Sequence, residues 1–123
     1  MKKIPDSELE IMMLIWDAPD AVTSDYIMER IDKDWAKPTV LNFLSRLCER
    51  GYLECEKQGR QNFYRPKIGV EEYRKSALGD FIARLYHNSP VSLVASLWDG
   101  GAISKEEREE LRDYIERCAE NAD

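Results

Sequence analysis

The sequence holds one histidine, three cysteines and few glycines or prolines, and none of its apolar runs is long. Each shortage removes a class of protein. The sole histidine, His87, has no serine or cysteine nucleophile beside it, and there is no glycine-rich phosphate loop, so the usual signatures of an enzyme are missing. Cys48, Cys55 and Cys118 are odd in number and widely spaced, which suits neither a disulfide framework nor a CxxC metal clamp. They read as reduced thiols, and no metal or cofactor is implied. The longest apolar run, Ile11 to Trp16, is far short of a membrane span, and the N-terminus lacks the hydrophobic core of a secretory signal. A soluble, cytoplasmic chain without membrane insertion is expected. At 123 residues it suits one compact domain, or a small head with an accessory segment that needs a partner, and excludes a large multi-domain enzyme.

Positive charge is also scarce. The formal net charge is −6, which argues against nucleic acid, because binding a polyanion depends on Lys and Arg displacing counterions from phosphates. The distribution reverses that impression. Lys37 to Lys67 contains seven basic residues (Lys37, Arg46, Arg50, Lys57, Arg60, Arg65, Lys67) against three acidic ones (Glu49, Glu54, Glu56). From Ile68 onward there are seven basic and twelve acidic residues. One segment is suited to face a polyanion and the other is not.

The apolar periodicity is that of helices. Leu9, Met12, Met13 and Trp16 fall at i, i+3, i+4, i+7 in a first helix that begins near Asp6 or Ser7, where Ser7 and Glu10 have capping-box spacing, and ends by Pro19. Ala21 and Val22 form a short extended piece leading to Thr23 or Ser24 as N-cap of a second helix that runs to about Ile31. A polar turn anchored by Trp35 follows. The third helix carries Pro38 in its first turn and Gly51 directly after Arg50, where a left-handed C-cap is wanted. Val40, Phe43, Leu44, Leu47 and Cys48 make its apolar stripe, while Leu41, Asn42, Ser45 and Arg46 share a second, mostly polar face.

After Gly51 the period becomes two. Tyr52 to Lys57 and Asn62 to Arg65 read as strands joined by Gln58, Gly59, Arg60 and Gln61, a hairpin with a basic tip. Helices are then expected over about Glu71 to Asn88, Pro90 to Trp98 and Lys105 to Ala119, the last with Ser104 and Glu107 at capping-box spacing. The fold class is mainly α with a small β-hairpin wing: a winged helix-turn-helix over residues 1–69, then a three-helix dimerisation tail over residues 70–123. The tail's stripes, drawn from Tyr73, Phe81, Leu85, Val94, Leu97, Trp98, Leu111 and Ile115, are too wide for three short helices to bury alone, and pairing with an identical tail would cover them.

Helix, helix, helix and basic hairpin is the order of a winged helix-turn-helix, in which two helices brace a third whose outer face enters the major groove while the hairpin lies along neighbouring phosphates. On that reading Asn42 and Arg46 suit base edges, Ser45 a base or phosphate, and Leu41 a thymine methyl. Lys37 and Thr39, at the helix N-terminus, suit phosphate, and Lys57, Arg60 and Gln61 are wing contacts. The alternative from another class is a winged-helix module for protein contact that has no sequence-specific DNA binding.

The sequence resembles the penicillinase-repressor family, which includes the beta-lactamase and methicillin-resistance repressors and the copper-transport repressors. The resemblance lies in Leu9, Glu10 and Trp16, then Thr39-Val40, Leu44, Arg46-Leu47, Gly51, Leu53, Gly59-Arg60, Tyr64 and Pro66, and covers nearly the whole chain. It implies a homodimer that binds a palindromic double-stranded DNA operator and represses transcription. In antibiotic-responsive members a membrane sensor protease triggers cleavage of an Asn-Phe bond beside a Ser-Leu-Val segment. Here Ser92-Leu93-Val94 leads to Ser96-Leu97 as the matching bond, so both residues of the bond differ from the family's. The copper members carry paired Cys-x-Cys motifs, and this tail offers only Cys118.

Other residues read as structure. Trp16 and Trp98 suit packing anchors, Cys48 a core thiol, His87 the last turn of a helix or the dimer seam, and the Glu106 to Glu110 run a helix N-terminus.

Overall fold

The computed structural model describes residues 1–121. Its elements are α1 (Asp6–Asp17), α2 (Ser24–Arg30), α3 (Lys37–Glu49), β1 (Leu53–Gln58), β2 (Gln61–Pro66), α4 (Val70–Leu85), α5 (Pro90–Asp99) and α6 (Lys105–Glu120). Contacts divide the chain into two units, Met1–Ala77 and the residues from Leu78 onward, so the division falls inside α4 and not at the expected boundary after Gly69.

The head is built on a different face of α1 from the one its apolar spacing suggests. Glu8, Ile11, Met12 and Ile15 are buried, whereas Met13 is 42% exposed and Leu9 and Trp16 lie at the core's edge. Both sets obey i, i+3, i+4, i+7, and the buried one was masked because its first member is a carboxylate. Nor does the capping box at Ser7 form. Pro5 is the N-cap, its carbonyl accepts the Leu9 N–H at 2.8 Å, and Ser7 falls within the first turn. At α2 the Thr23 hydroxyl does cap, accepting from the Tyr26 N–H at 3.2 Å.

Helix α3 buries Val40, Leu44 and Leu47 against this core and ends in a Schellman motif. The Tyr52 N–H donates to the Leu47 carbonyl (2.9 Å) and the Gly51 N–H to that of Cys48 (3.1 Å), with Gly51 at φ 83°. The chain turns directly into the hairpin, whose register pairs Cys55 with Tyr64 and Gln58 with Gln61. Gly59 supplies the positive φ, 65°, that a two-residue turn opening on glycine requires. Val22 adds a third, one-residue strand through paired bonds with Tyr64 at 2.9 and 2.7 Å, where the sequence suggested only an extended link.

Tyr73 closes the core. It was expected at a dimer seam, yet it is 7% exposed inside the head, its hydroxyl accepting the Ile4 N–H at 2.8 Å. Its ring lies 5.7 Å from Trp16 and 6.2 Å from Tyr52. A phenol can bury its ring and still satisfy a backbone donor, which explains why this residue serves a core and not an apolar stripe. The Trp16 indole N–H donates to the Ile68 carbonyl at 2.9 Å, fixing the approach to α4.

In the second unit α4 stops at Leu85, short of the expected Asn88. His87 and Asn88 follow in the left-handed region (φ 49° and 62°), so His87 lies beyond the helix and not in its last turn. Ser89 caps α5, and Ser104 with Glu107 forms a full capping box on α6. Arg108 donates to the Trp98 carbonyl at 3.2 Å and lies 5.7 Å from that ring. No residue of α5 or α6 is buried. Phe81 is 44% and Val91 77% exposed, and Leu85, Val94, Leu97, Tyr114 and Ile115 are exposed too. Among the described residues no helix is long and apolar enough to cross a membrane.

Candidate nucleic-acid interface

The outer face of α3 follows from the helix period. With Val40, Leu44 and Leu47 buried, Leu41 and Ser45 form one exposed column, and Asn42 and Arg46 form the next. At the N-terminus Ala36 offers no side-chain cap, which leaves the positive end of the helix open to an anion. Thr39 there is half-buried and Lys37 exposed, the latter paired with Asp25 of α2 at 2.9 Å. Trp35 packs edge-on against Phe43, ring centres 5.2 Å apart, and holds the turn that leads into α3.

The hairpin brings its expected contacts to one end but not to one face. Lys57 pairs with Asn62 and shares the face of Leu53 and Tyr64, whereas Gln61 pairs with Gln58 on the opposite face, with Arg65. Arg60 occupies the turn between them. All three are exposed.

The local excess of positive charge is partly spent within the head. Lys37, Arg50 and Arg65 each have an acidic partner, at 2.9, 3.1 and 3.3 Å. Among the described residues Arg46, Lys57, Arg60 and Lys67 form no ion pair. Exposed pairs such as Lys37–Asp25 contribute about 0–1 kcal/mol, so Lys37 can exchange its partner for a phosphate at small cost.

Arg50 differs. Its Nη1 donates to both carboxylate oxygens of Glu8, at 3.1 and 3.4 Å, and Glu8 is only 2% exposed. The Arg50 side chain is 42% exposed, so only the carboxylate is held out of water. A buried ion costs about several kcal/mol unless it is paired, which binds Glu8 to Arg50 more firmly than two surface ions bind each other. Sequence reasoning assigned neither residue a role. The available signal was a glutamate on the same helix stripe as Ile11, Met12 and Ile15.

Of the cysteines, Cys55 and Cys118 are exposed and Cys48 half-buried. Burial, then Cys55 and Glu49 nearby, push the Cys48 thiol above its ordinary value, as befits a packing residue.

The tail residues fall into separate groups. Phe81, Leu85, Val94, Leu97 and Ile115 are exposed, Trp98 and Leu111 half-buried, and Tyr73 belongs to the head. Ser96 and Leu97 lie within α5 and are exposed, and the Ser96 carbonyl accepts the Gly100 N–H at 2.9 Å.

The head is a winged helix-turn-helix, and known proteins share it. The solution structure of the DNA binding domain of the repressor BlaI aligns with a TM-score of 0.50 at 33% identity, covering 59% of this chain and 94% of that one. A mutant of ZitR from Lactococcus lactis aligns at 0.51 and 17% identity over 99% of this chain and 77% of that one, a likeness of fold alone. In sequence the chain is 33% identical to the penicillinase repressor of Bacillus licheniformis over 120 residues and 26% identical to the methicillin resistance regulatory protein MecI of Staphylococcus aureus over 116, covering 94% of both partners in each case. With residues 4–117 matching the family's own pattern as well, the chain belongs to the penicillinase repressor family.

Proposed function

We propose that the chain is a DNA-binding transcriptional repressor that acts in the cytoplasm as a homodimer on a palindromic operator, a binding protein and not a catalyst. The observation that carries this reading is the exposed face of α3, with Asn42 and the unpaired Arg46 in one column beside an uncapped helix N-terminus and a basic hairpin end. Arg46 and Asn42 read base edges in the major groove, Leu41 meets a thymine methyl, and Ser45 reaches a base or phosphate. Lys37, Thr39, Lys57, Arg60 and Gln61 position the head on the backbone.

Dimerisation is supported by the uncovered apolar residues of the second unit, Phe81, Leu85, Val94, Leu97 and Ile115. A second copy covers them most economically, and a two-fold dimer presents two identical heads to two half-sites, hence a palindrome. Release by a sensor protease at Ser96-Leu97 is the finer part of the proposal. A protease takes its substrate extended, so α5 would have to unwind, and a helix with no buried residue offers little resistance.

The test is operator binding at several salt concentrations. The log of the binding constant should fall against log salt with a slope of about −0.9 for every phosphate contacted. Arg46→Ala should relax sequence preference at one position of each half-site, while Arg60→Ala should weaken all duplexes evenly and flatten the slope by about 1 per head. Binding insensitive to salt, or equal on unrelated duplexes, would refute the reading.

A further inference from the structure

Glu8 is the one charged side chain buried among the described residues, and its partner stands at the far end of the recognition helix. Glu8 lies in the first turn of α1, where the helix dipole favours an anion, and Arg50 caps the C-terminus of α3, where it favours a cation. The pair therefore ties one helix start to the other helix's end, and both charges suit the ends they occupy. Stability alone does not explain it, because a well-packed apolar side chain in place of the buried carboxylate would hold two helices as firmly as an ion pair of which one end, Arg50, is 42% exposed. What the pair adds is a fixed geometry, with Arg50 Nη1 within 3.1 and 3.4 Å of the two carboxylate oxygens.

That geometry reaches the base-reading face. The Arg50 N–H donates to the Arg46 carbonyl at 3.0 Å, one helical turn back. A slip of α3 by one residue, about 1.5 Å along its axis and 100° about it, would move Arg46 away from its base and would also draw Arg50 off a carboxylate that has nowhere else to turn. We propose that Glu8 and Arg50 are positioning residues for sequence reading, a clamp that sets the register of α3 in the major groove and through it the aim of Arg46. This rests on the DNA-binding reading above.

The experiment compares two duplexes: one recovered by the wild-type protein from a random-sequence pool, and a shuffled duplex of the same composition. The quantity read is the ratio of the two affinities. Glu8→Gln keeps the side chain's shape and removes its charge, and should lower the ratio about ten-fold, equivalent to losing one base contact. The shuffled duplex, held through phosphates, should change little. A merely structural role gives a different result, because partial unfolding scales both affinities by the folded fraction and leaves their ratio unchanged. Arg50→Lys keeps a cation against the buried carboxylate and serves if Glu8→Gln does not fold. It too should lower the ratio, since an ammonium on a flexible stem does not hold the position that Nη1 keeps between the two carboxylate oxygens. Ratios at the wild-type value in the folded variants overturn the clamp and leave DNA binding standing. A wild-type protein that recovers no preferred duplex overturns both.

Discussion

At the scale of single residues, polar atoms decide positions that hydropathy misplaces. Cys48 shares a stripe with Leu44 and Leu47, and its raised thiol should make it slow to react at neutral pH. Limited alkylation of the folded protein, read by mass spectrometry, should label Cys55 and Cys118 first. Equal labelling of all three would contradict the packing described. That stripe was legible because every member is apolar. The stripe of α1 was not, because Glu8 occupies its first position and an ion pair replaces the transfer energy that an apolar residue would supply. The partner, Arg50, lies 42 residues away, and no local pattern connects the two. The same holds for Tyr73, whose hydroxyl serves Ile4 across the head.

At the scale of elements, ends are more telling than middles. The Pro38 start and Gly51 stop of α3 could be read from sequence because each answers a backbone requirement, a missing N–H and a positive φ. Gly51→Ala should cost about 1–2 kcal/mol of stability by urea denaturation, even though no atom crowds the new methyl, because the left-handed backbone itself is strained for alanine. The box on α6 offers a second test. The Ser104 N–H, donating to Glu107 at 3.0 Å, holds that carboxyl below its ordinary value, so the box's contribution is fully present at neutral pH and is lost as acid protonates Glu107 through its lowered pKa. In a carbon-detected NMR titration Glu107 should titrate below the ordinary glutamate value, and a midpoint at or above that value would show the box open in solution. Ser7 and Glu10 have the same spacing and make no box. Spacing offers a cap, but Pro5 starts α1 earlier and the offer lapses. The end of α4 is illegible for a related reason: Tyr86 and His87 are acceptable helix residues, and the helix stops where His87 and Asn88 turn left-handed, with the Asn88 N–H bonding back to the Ile82 carbonyl.

At the scale of the molecule, the head was legible nearly throughout, because its helix order, hairpin period and basic segment are all local signals. The tail was legible as helices but not in its use, because apolar residues left exposed on one chain record a need and not its solution. If a second copy meets that need, sedimentation should give a dimer at micromolar concentration. Phe81→Glu with Leu97→Glu should give a folded monomer whose operator affinity falls by about a hundred-fold or more, the lower end of the about 10²–10⁴ range typical of linked sites. A wild-type monomer would remove the premise.

The placement of Tyr73 bears on how such a protein could be switched off. The head keeps Tyr73 and Ala77 as its own, so a fragment ending at Gly69 loses the ring that closes its core, whereas a chain cut at Ser96-Leu97 keeps that core whole. Cutting there would leave heads that are folded and chemically competent but no longer coupled. Repression would then end through lost avidity, with each half-site released at its own weak affinity, and not through denaturation.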